Sequence, residues 1–254
     1  MEQWGITNSG KVRRHNQDVF QMLSDEDKNI AVLVVCDGMG GANAGNIASL
    51  LAAEAFMQHM KESISQLADD YSQADITGIL TNAVLAANSA VFEKSQEDEE
   101  FTGMGTTLTA AISTKVGEVV ANVGDSRLYH VTSNKIIQIT RDHSVVEDMI
   151  ERGEITRNEA RRHPSRNLIT RALGTGLYEP PDIFYINMKD NDSIILCTDG
   201  LTSVVLDSEI QFELLRGSTV RDSCEVLMDM ALSRGAPDNV TVVILRKQEE
   251  ENGQ

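Results

Sequence analysis

The 254-residue sequence has few basic residues and no long apolar run. Its 22 Lys and Arg residues stand against 39 Asp and Glu residues, which gives a formal net charge of −17 at pH 7. This excess repels a phosphate backbone, so we expect no nucleic-acid partner. No stretch approaches the roughly 18 apolar residues of a membrane span, and the first ten residues lack a signal-peptide pattern. We therefore expect a soluble, cytoplasmic protein that does not bind membranes.

Cysteine and histidine are also scarce, and neither forms a recognisable site. The three cysteines are Cys36, Cys197 and Cys224, so any disulfide scheme leaves one of them unpaired. Cys36 and Cys197 lie inside apolar runs, which favours buried thiols. The five histidines show no paired spacing such as HExxH. A disulfide framework and a zinc site are therefore both disfavoured.

Apolar segments, in contrast, continue through almost the whole chain. They extend from Ile6 to Leu245 without a Gly/Ser/Pro-rich linker, and 41% of all residues are apolar. We predict one domain over residues 1–247 and a disordered acidic tail over 248–254. We expect the protein to be a monomer.

Apolar periodicity predicts long helices in the first half of the domain and short strands after them. The predicted helices span 43–67, 74–92, 207–215 and 220–233, and the polar segment 142–165 suggests short surface helices. The predicted strands are Ile30–Cys36, Thr106–Ser113, Glu118–Val123, Arg127–Val131, Lys135–Ile139, Ile183–Met188, Ser193–Cys197 and Val240–Arg246. This order favours an α+β fold with sheet packed on sheet and helices outside, over a parallel doubly wound sheet.

Four of the predicted strands have an aspartate and turn-forming residues at one end. These aspartates are Asp37, Asp125, Asp199 and Asp238. For any one of them alone, a turn residue is the simpler interpretation. Four in one domain would converge if the strands are neighbours, and their mutual repulsion would then require cations. Oxygen ligands favour Mg²⁺ or Mn²⁺, and Gly38 allows a backbone carbonyl to approach as a further ligand.

Two segments near these aspartates admit more than one interpretation. The strand, glycines and helix around 37–41 resemble the plan of a phosphate-binding loop. However, the Gly-Lys-Ser/Thr of a Walker motif is missing, and Asn43 stands where GxGxxG requires its third glycine. The segment 12–18 contains Arg13 and Arg14 beside an amide and a carboxylate. It is either a surface salt-bridge turn or an arginine fork for two phosphate oxygens.

Eight short motifs follow one another along the chain. They are Arg13 with Asn16-Gln17-Asp18, Asp37-Gly38-Met39-Gly40-Gly41, Gly105-Thr106-Thr107, Gly124-Asp125-Ser126-Arg127, Asp142-His143-Ser144, His163-Pro164 with Thr170-Arg171-Ala172-Leu173-Gly174, Thr198-Asp199-Gly200, and Asp238-Asn239-Val240-Thr241. Each alone is weak evidence. Together and in this order, from about residue 4 to 246, they resemble the bacterial type 2C (PPM) metal-dependent serine/threonine protein phosphatases.

The resemblance implies a four-layer αββα sandwich, in which pairs of antiparallel helices flank two antiparallel sheets. It also implies two core Mg²⁺ or Mn²⁺ ions and a possible third. Asp37 would bridge the core ions, the Gly38 carbonyl would bind one of them, and Asp199 and Asp238 would complete the other. Asp125, together with Asp199, would hold the third ion.

Further roles follow from the same resemblance. Arg13 would bind the substrate phosphate, and Asp18 would orient a metal-bound water. The segment of about 143–171 matches a mobile flap beside the active site. The chain departs from its relatives at Gln17, where they usually carry glutamate, and at Ala42, where bacterial members commonly carry histidine. Neither position is a direct ligand in the bacterial pattern, so we expect altered metal affinity or proton transfer with activity retained.

The predicted function is hydrolysis of phosphoserine and phosphothreonine in proteins by a metal-bridging hydroxide. The enzyme would oppose a bacterial Ser/Thr kinase and act on phosphorylated proteins. One alternative is a dedicated phosphatase of a partner-switching cascade, and a second is a non-catalytic pseudophosphatase, which the four aspartates disfavour. A third is an acidic Ca²⁺-binding protein, but the nearest approach to an EF-hand, at 190–192, lacks the loop's glycine and final glutamate.

Overall fold

The computed structural model describes residues 1–40 and 44–248 of the chain. The strands are β1 (Glu2–Asn8), β2 (Asp18–Asp25), β3 (Ile30–Met39), β4 (Gly105–Thr106), β5 (Leu108–Thr114), β6 (Gly117–Val123), β7 (Arg127–Val131), β8 (Ile136–Gln138), β9 (Asp182–Ile186), β10 (Ser193–Cys197) and β11 (Val240–Arg246). The helices are α1 (Ala44–Ser65), α2 (Gln73–Ser95), α3 (Val145–Glu151), α4 (Arg157–Ala160), α5 (Asp199–Thr202), α6 (Asp207–Leu215) and α7 (Val220–Ser233), with a 3₁₀ turn at Glu99–Phe101. The Ala42 departure and the acidic tail after Gln248 lie outside the described residues.

The strands form two sheets in which neighbouring strands are antiparallel. The first sheet has the order β1-β11-β10-β7-β8. The second has the order β2-β3-β5-β6-β9, and the two-residue strand β4 pairs with β3. The sequence predicted antiparallel strands because the connections are short and contain turn residues. The structure confirms an α+β fold and not a parallel doubly wound sheet.

Three apolar clusters show how the layers are stacked. One cluster lies between the two sheets and includes Leu33 and Leu196. A second, which includes Phe56, lies between the second sheet and the helices α1 and α2. The third, which includes Leu227 and Ile244, lies between the first sheet and the helices α5 to α7. Each sheet therefore buries both faces, and the layers form the predicted αββα sandwich.

Helix α2 is long and apolar enough to cross a membrane by length and composition alone. Its packing explains this composition. Ile76, Leu80, Ala83 and Val84 are fully buried in the same cluster that α1 joins. A buried core helix can have the same length and apolar composition as a membrane span. Helix α2 is such a helix and covers the second sheet together with α1.

The strands β1 and β2 were not among the predicted strands. Their residues are mostly half-buried and lack a long apolar run, because each strand lies at the edge of its sheet. Strand β1 is held along its length by β11, in a register that pairs Glu2 with Arg246 and Asn8 with Val240. Pairing with β11 in the case of β1, and with the next strand β3 in the case of β2, makes these two segments β-strands, and local composition does not.

Candidate active site

Six of the seven predicted site residues line one cavity at an end of the sandwich. The cavity has a volume of about 220 Å³, and the predicted residues in its wall are Arg13, Asp37, Gly38, Asp125, Asp199 and Asp238. Each aspartate arrives from a different element. Asp37 lies two residues before the end of β3, Asp125 lies between β6 and β7, Asp199 begins α5 directly after β10, and Asp238 precedes β11. The topology therefore brings the four strand-end carboxylates together, as the sequence predicted.

Asp18, the seventh predicted residue, lies beside this cavity at the start of β2. It stands opposite Asp37 in the register of β2 and β3. Its Oδ2 accepts hydrogen bonds from the hydroxyls of Thr198 at 2.8 Å and Thr241 at 2.7 Å. Its Oδ1 is buried and has no hydrogen-bond partner among the described atoms. A buried carboxylate oxygen without a partner is costly, so this atom is suited to a donor that the protein itself does not provide.

The clustered carboxylates strongly perturb one another. Burial, followed by repulsion from Asp18 and Asp199, raises the pKa of Asp37 well above its usual value. Burial is also the largest cause that raises the pKa of Asp18 to about 7, of Asp125 to about 8 and of Asp199 to about 6. Such shifts mean that this crowded arrangement of acidic groups disfavours the charged carboxylates. A cavity with several such shifts is a candidate functional site, and added positive charge there would favour the charged carboxylates.

Two glycines permit the close backbone contacts on which the site depends. A Cβ on Gly38 would lie 2.0 Å from the carbonyl oxygen of Gly45 at the start of α1. A Cβ on Gly200 would lie 1.9 Å from the carbonyl oxygen of Asn239. The second contact lets the start of α5 approach the start of β11, so that Asp199 and Asp238 can share one cavity.

Hydroxyl groups hold the backbone of Asp37 in place. The Asp37 N–H donates to Thr107 Oγ1 at 3.0 Å, and the Asp37 carbonyl accepts from Thr107 N at 2.9 Å and from Thr106 Oγ1 at 2.9 Å. Thr107 Oγ1 also lies 2.8 Å from Ser126 Oγ, next to Asp125. The sequence showed Thr106 and Thr107 only as part of a motif. Their structural role was missed, because it depends on a contact between β3 and the β4–β5 segment, about 70 residues away.

Asn239 is a second supporting residue whose role the sequence did not reveal. Its Oδ1 accepts from the Gln17 N–H at 2.8 Å, and its Nδ2 donates to the carbonyls of Ser9 and His15, both at 3.0 Å. These bonds fix the loop that carries Arg13 against the start of β11. Gln17 itself lines the cavity, so the glutamine-for-glutamate departure lies beside the site.

Arg13 forms an ion pair with one of the cavity aspartates. Its Nη2 lies 2.8 Å from Asp238 Oδ2, and the arginine side chain is 52% exposed. The hydrogen bond and the charge of Asp238 are the main causes that raise the pKa of Arg13. Arg14 is exposed and, in contrast, is not part of the described cavity lining. The structure thus separates the two neighbouring arginines and places a guanidinium next to the carboxylates.

The donor set of the cavity fits hard divalent cations. In the cavity wall, the oxygen donors are carboxylates and the backbone carbonyl at Gly38, and the unpartnered Oδ1 of Asp18 lies beside them. The described lining contains no thiol or imidazole, and such an oxygen-only set is typical of sites for Mg²⁺ and Mn²⁺. Within residues 1–40 and 44–248, however, no three His, Cys, Asp or Glu side chains lie close enough to bind one ion by themselves. Asp238 is paired with Arg13. An ion would therefore draw further ligands from backbone carbonyl and water, or from Asp238 once it leaves Arg13.

Comparison with known proteins shows the family to which the chain belongs. The sequence pattern of the family described as protein phosphatase 2C matches residues 10–237. The serine/threonine phosphatase stp of Listeria monocytogenes serotype 4b is 34% identical over 247 residues, which cover 97% of this chain and 96% of that protein.

Solved structures show the same fold. Serine/threonine phosphatase Stp1 from Staphylococcus aureus superposes with a TM-score of 0.87 at 35% identity, over 98% of this chain and 95% of that one. The catalytic domain of the serine/threonine protein phosphatase PstP, in complex with two manganese ions, superposes with a TM-score of 0.80 at 33% identity, over 98% of both chains. The chain therefore belongs to the protein phosphatase 2C family and is a protein-serine/threonine phosphatase of the bacterial type.

Proposed function

We propose that this phosphatase hydrolyses phosphoserine and phosphothreonine in proteins with the help of Mg²⁺ or Mn²⁺, and that it opposes a Ser/Thr kinase in the cytoplasm. The convergence of Asp37, Asp125, Asp199 and Asp238 on one cavity beside Arg13 supports this proposal most directly. The three cysteines are buried and free, which fits a reducing compartment. We take residues 1–247 as one catalytic domain.

The metal ions would be held by residues in or beside three separate strands. Asp37 and the carbonyl of Gly38 would bind from β3, Asp199 from the start of α5 after β10, and Asp238 from the segment before β11. Asp125 would hold a third, weaker ion together with Asp199. Asp238 would exchange its ion pair with Arg13 for the metal, which would also release the guanidinium toward the substrate.

When bound, such ions stabilise negative charge on a phosphoryl group and lower the pKa of a water so that it can attack phosphorus at neutral pH. The side chains of the chain complete the reaction. Arg13 would donate two parallel N–H bonds to phosphoryl oxygens and so fix the orientation of the phosphate. Asp18, anchored at Oδ2 by Thr198 and Thr241, would orient the attacking water through its free Oδ1.

The flap segment forms part of the wall around this chemistry. Asn167 and Ile169, from the C-terminal part of the predicted flap of about 143–171, line the cavity. A neighbouring cavity of about 460 Å³ lies under α3 and α4 and shares Asp125, Asn167 and Asp199 with it. We propose that the residues around the phosphorylated side chain lie against this segment, since it adjoins the reacting centre.

A phosphopeptide assay tests the proposed activity. Purified protein in saturating Mn²⁺ should release phosphate from a panel of unrelated phosphoserine and phosphothreonine peptides, because the roles proposed for Arg13 and the aspartates concern the phosphate and not the surrounding sequence. Release would be measured as inorganic phosphate. Hydrolysis of a single phosphoprotein, with the panel untouched, would favour the partner-switching alternative. If no phosphate is released from any peptide in the panel or from any phosphoprotein, the proposal is contradicted.

Replacement of Arg13 and Arg14 separates phosphate binding from general surface charge. Arg13→Ala should lower kcat/KM by about 10- to 100-fold, since hydrogen bonds to a charged group contribute about 1.5–3 kcal/mol. Arg14→Ala removes the same charge from an exposed neighbour outside the described lining and should change kcat/KM little. Both variants are assayed in saturating Mn²⁺, so that the loss of the pair with Asp238 does not limit the rate. Equal losses in the two variants would contradict the assignment of Arg13.

A further inference from the structure

The turn that carries Asp125 is held by a buried histidine. Gly124, with a φ of +109°, follows the last residue of β6 and directly precedes Asp125. The Gly124 N–H donates to Nδ1 of His143 at 3.0 Å, and the His143 N–H donates to the Gly124 carbonyl at 2.9 Å. The side chain and the backbone of His143 thus fix both polar groups of the residue before Asp125. His143 was seen in the sequence only as part of the Asp142-His143-Ser144 motif.

The hydrogen bonds of His143 define the protonation of its ring. Because Nδ1 accepts from a backbone N–H, the proton of the neutral ring is on Nε2. Nε2 lies 3.1 Å from Asp182 Oδ2 at the start of β9 and donates to it. Arg171 Nη1 donates to the other oxygen, Asp182 Oδ1, at 2.7 Å. It also lies 2.9 Å from Nε2, but with the proton on Nε2 both atoms are donors, so they form no hydrogen bond with each other. Burial lowers the pKa of His143 despite the nearby carboxylate, which agrees with the neutral ring.

His143 also joins the two ends of the flap segment. Its carbonyl accepts from the Thr170 N–H at 2.8 Å, and the Val145 N–H donates to the Leu168 carbonyl at 2.9 Å. Between these bonds, Ser144 and Ile169 form an antiparallel bridge. The chain therefore enters and leaves the flap as a short antiparallel pair, and His143 connects this pair to the turn of Asp125.

We propose that His143 is a positioning residue that holds the Asp125 carboxylate in the active-site cavity and ties its position to the base of the flap. The consequence for catalysis rests on the role proposed above for Asp125. The hydrogen-bonded arrangement of Gly124, His143 and Asp182 does not depend on that role. Nδ1 is the decisive atom, because it is the acceptor for the Gly124 N–H.

Two substitutions separate the two ring nitrogens. In His143→Asn, the amide oxygen lies near the place of Nδ1 and can accept from Gly124. In His143→Gln, the amide lies near the place of Nε2, so it can reach Asp182 but not Gly124. We expect the Gly124 amide of His143→Gln to exchange with solvent about tenfold faster than in the wild type, in line with the loss of one hydrogen bond. The kcat of His143→Gln should also fall, while its KM for p-nitrophenyl phosphate stays unchanged. In His143→Asn, the Gly124 exchange rate and kcat should both be close to the wild-type values.

His130→Gln is the matched control for loss of a buried histidine. His130 is as buried as His143 and pairs with Asp192 at 2.9 Å, in the first sheet and outside the described cavity lining. The His130→Gln substitution should leave the Gly124 exchange rate and kcat unchanged. Amide exchange is followed by NMR in the presence of Mg²⁺. The ¹⁵N chemical shift of Nδ1 in the wild-type protein reports whether this nitrogen carries a proton, and this measurement needs no variant.

The outcomes distinguish the two proposals. Three results would each overturn the role of His143. The first is a wild-type exchange rate at Gly124 in His143→Gln, and the second is an equal effect of the Asn and Gln substitutions. The third is a protonated Nδ1 in the wild type. Faster Gly124 exchange in His143→Gln, in a protein without metal-dependent phosphatase activity, would support the structural role and reject the proposed function alone.

Discussion

Replacement of Asp37 by asparagine should lower kcat by at least about 100-fold in saturating Mn²⁺, a loss of at least about 2.7 kcal/mol of transition-state stabilisation. Asparagine keeps the size of the side chain but cannot supply the negative charge on which the proposed cation binding depends. The backbone of Asp37 is bonded independently of its side chain, through Thr106 and Thr107. The variant should therefore fold, and its turnover is measured per folded molecule.

The thermal stability of Asp37→Asn provides the control. Burial and four neighbouring carboxylates raise the pKa of Asp37, so its charge is unfavourable in the absence of metal. In EDTA, the Tm of the variant should equal or exceed that of the wild type. Added Mn²⁺ should raise the wild-type Tm by mass action and raise the variant's Tm less. Wild-type turnover in the folded variant would show that Asp37 is not a metal ligand needed for catalysis.

Removal of divalent metal should abolish activity altogether. After EDTA treatment, hydrolysis of p-nitrophenyl phosphate should fall to the background rate, because the described cavity offers carboxylates and Arg13 but no cysteine nucleophile. Addition of excess Mn²⁺ or Mg²⁺ should restore the rate in a saturable manner. The measurement is initial rate against free metal concentration. Full activity in EDTA would contradict the metal-dependent reaction.

Thiol alkylation is the matching control, since cysteine-dependent phosphatases lose activity when alkylated. Cys36, Cys197 and Cys224 are all buried. Burial raises the pKa of Cys197 and of Cys224 to about 12, so neither is a thiolate at neutral pH. Iodoacetamide should therefore leave the Mn²⁺-dependent rate of the folded protein unchanged. Rapid inactivation by the alkylator would point to a different nucleophile.

The central part of the fold was predictable because its segments are unambiguous by themselves. Ile30–Cys36 is an uninterrupted apolar run that is buried on both faces, and it forms most of β3. Strands β7, β10 and β11 and helices α6 and α7 have the predicted bounds. The edge strands β1 and β2 were not predicted, because they expose one side and owe their conformation to pairing with β11 and β3.

The site was predictable to a similar degree. Aspartates at the ends of apolar strands are visible in the sequence, and the structure brings Asp37, Asp125, Asp199 and Asp238 to one cavity. The residues that support them were not identified as such. Asn239 fixes the loop of Arg13, and His143 fixes the turn of Asp125, through contacts that join segments far apart in the chain.

The sequence by itself determined the family, the two-sheet fold and the identity of the acidic residues, because these depend on local periodicity and on motifs in a fixed order. The tertiary structure alone decided which groups touch. It paired Arg13 with Asp238 and left one oxygen of Asp18 without a partner. It also turned Nδ1 of His143 toward Gly124. These features depend on distances of about 3 Å between residues up to 225 positions apart, and such distances arise only when the two sheets pack together.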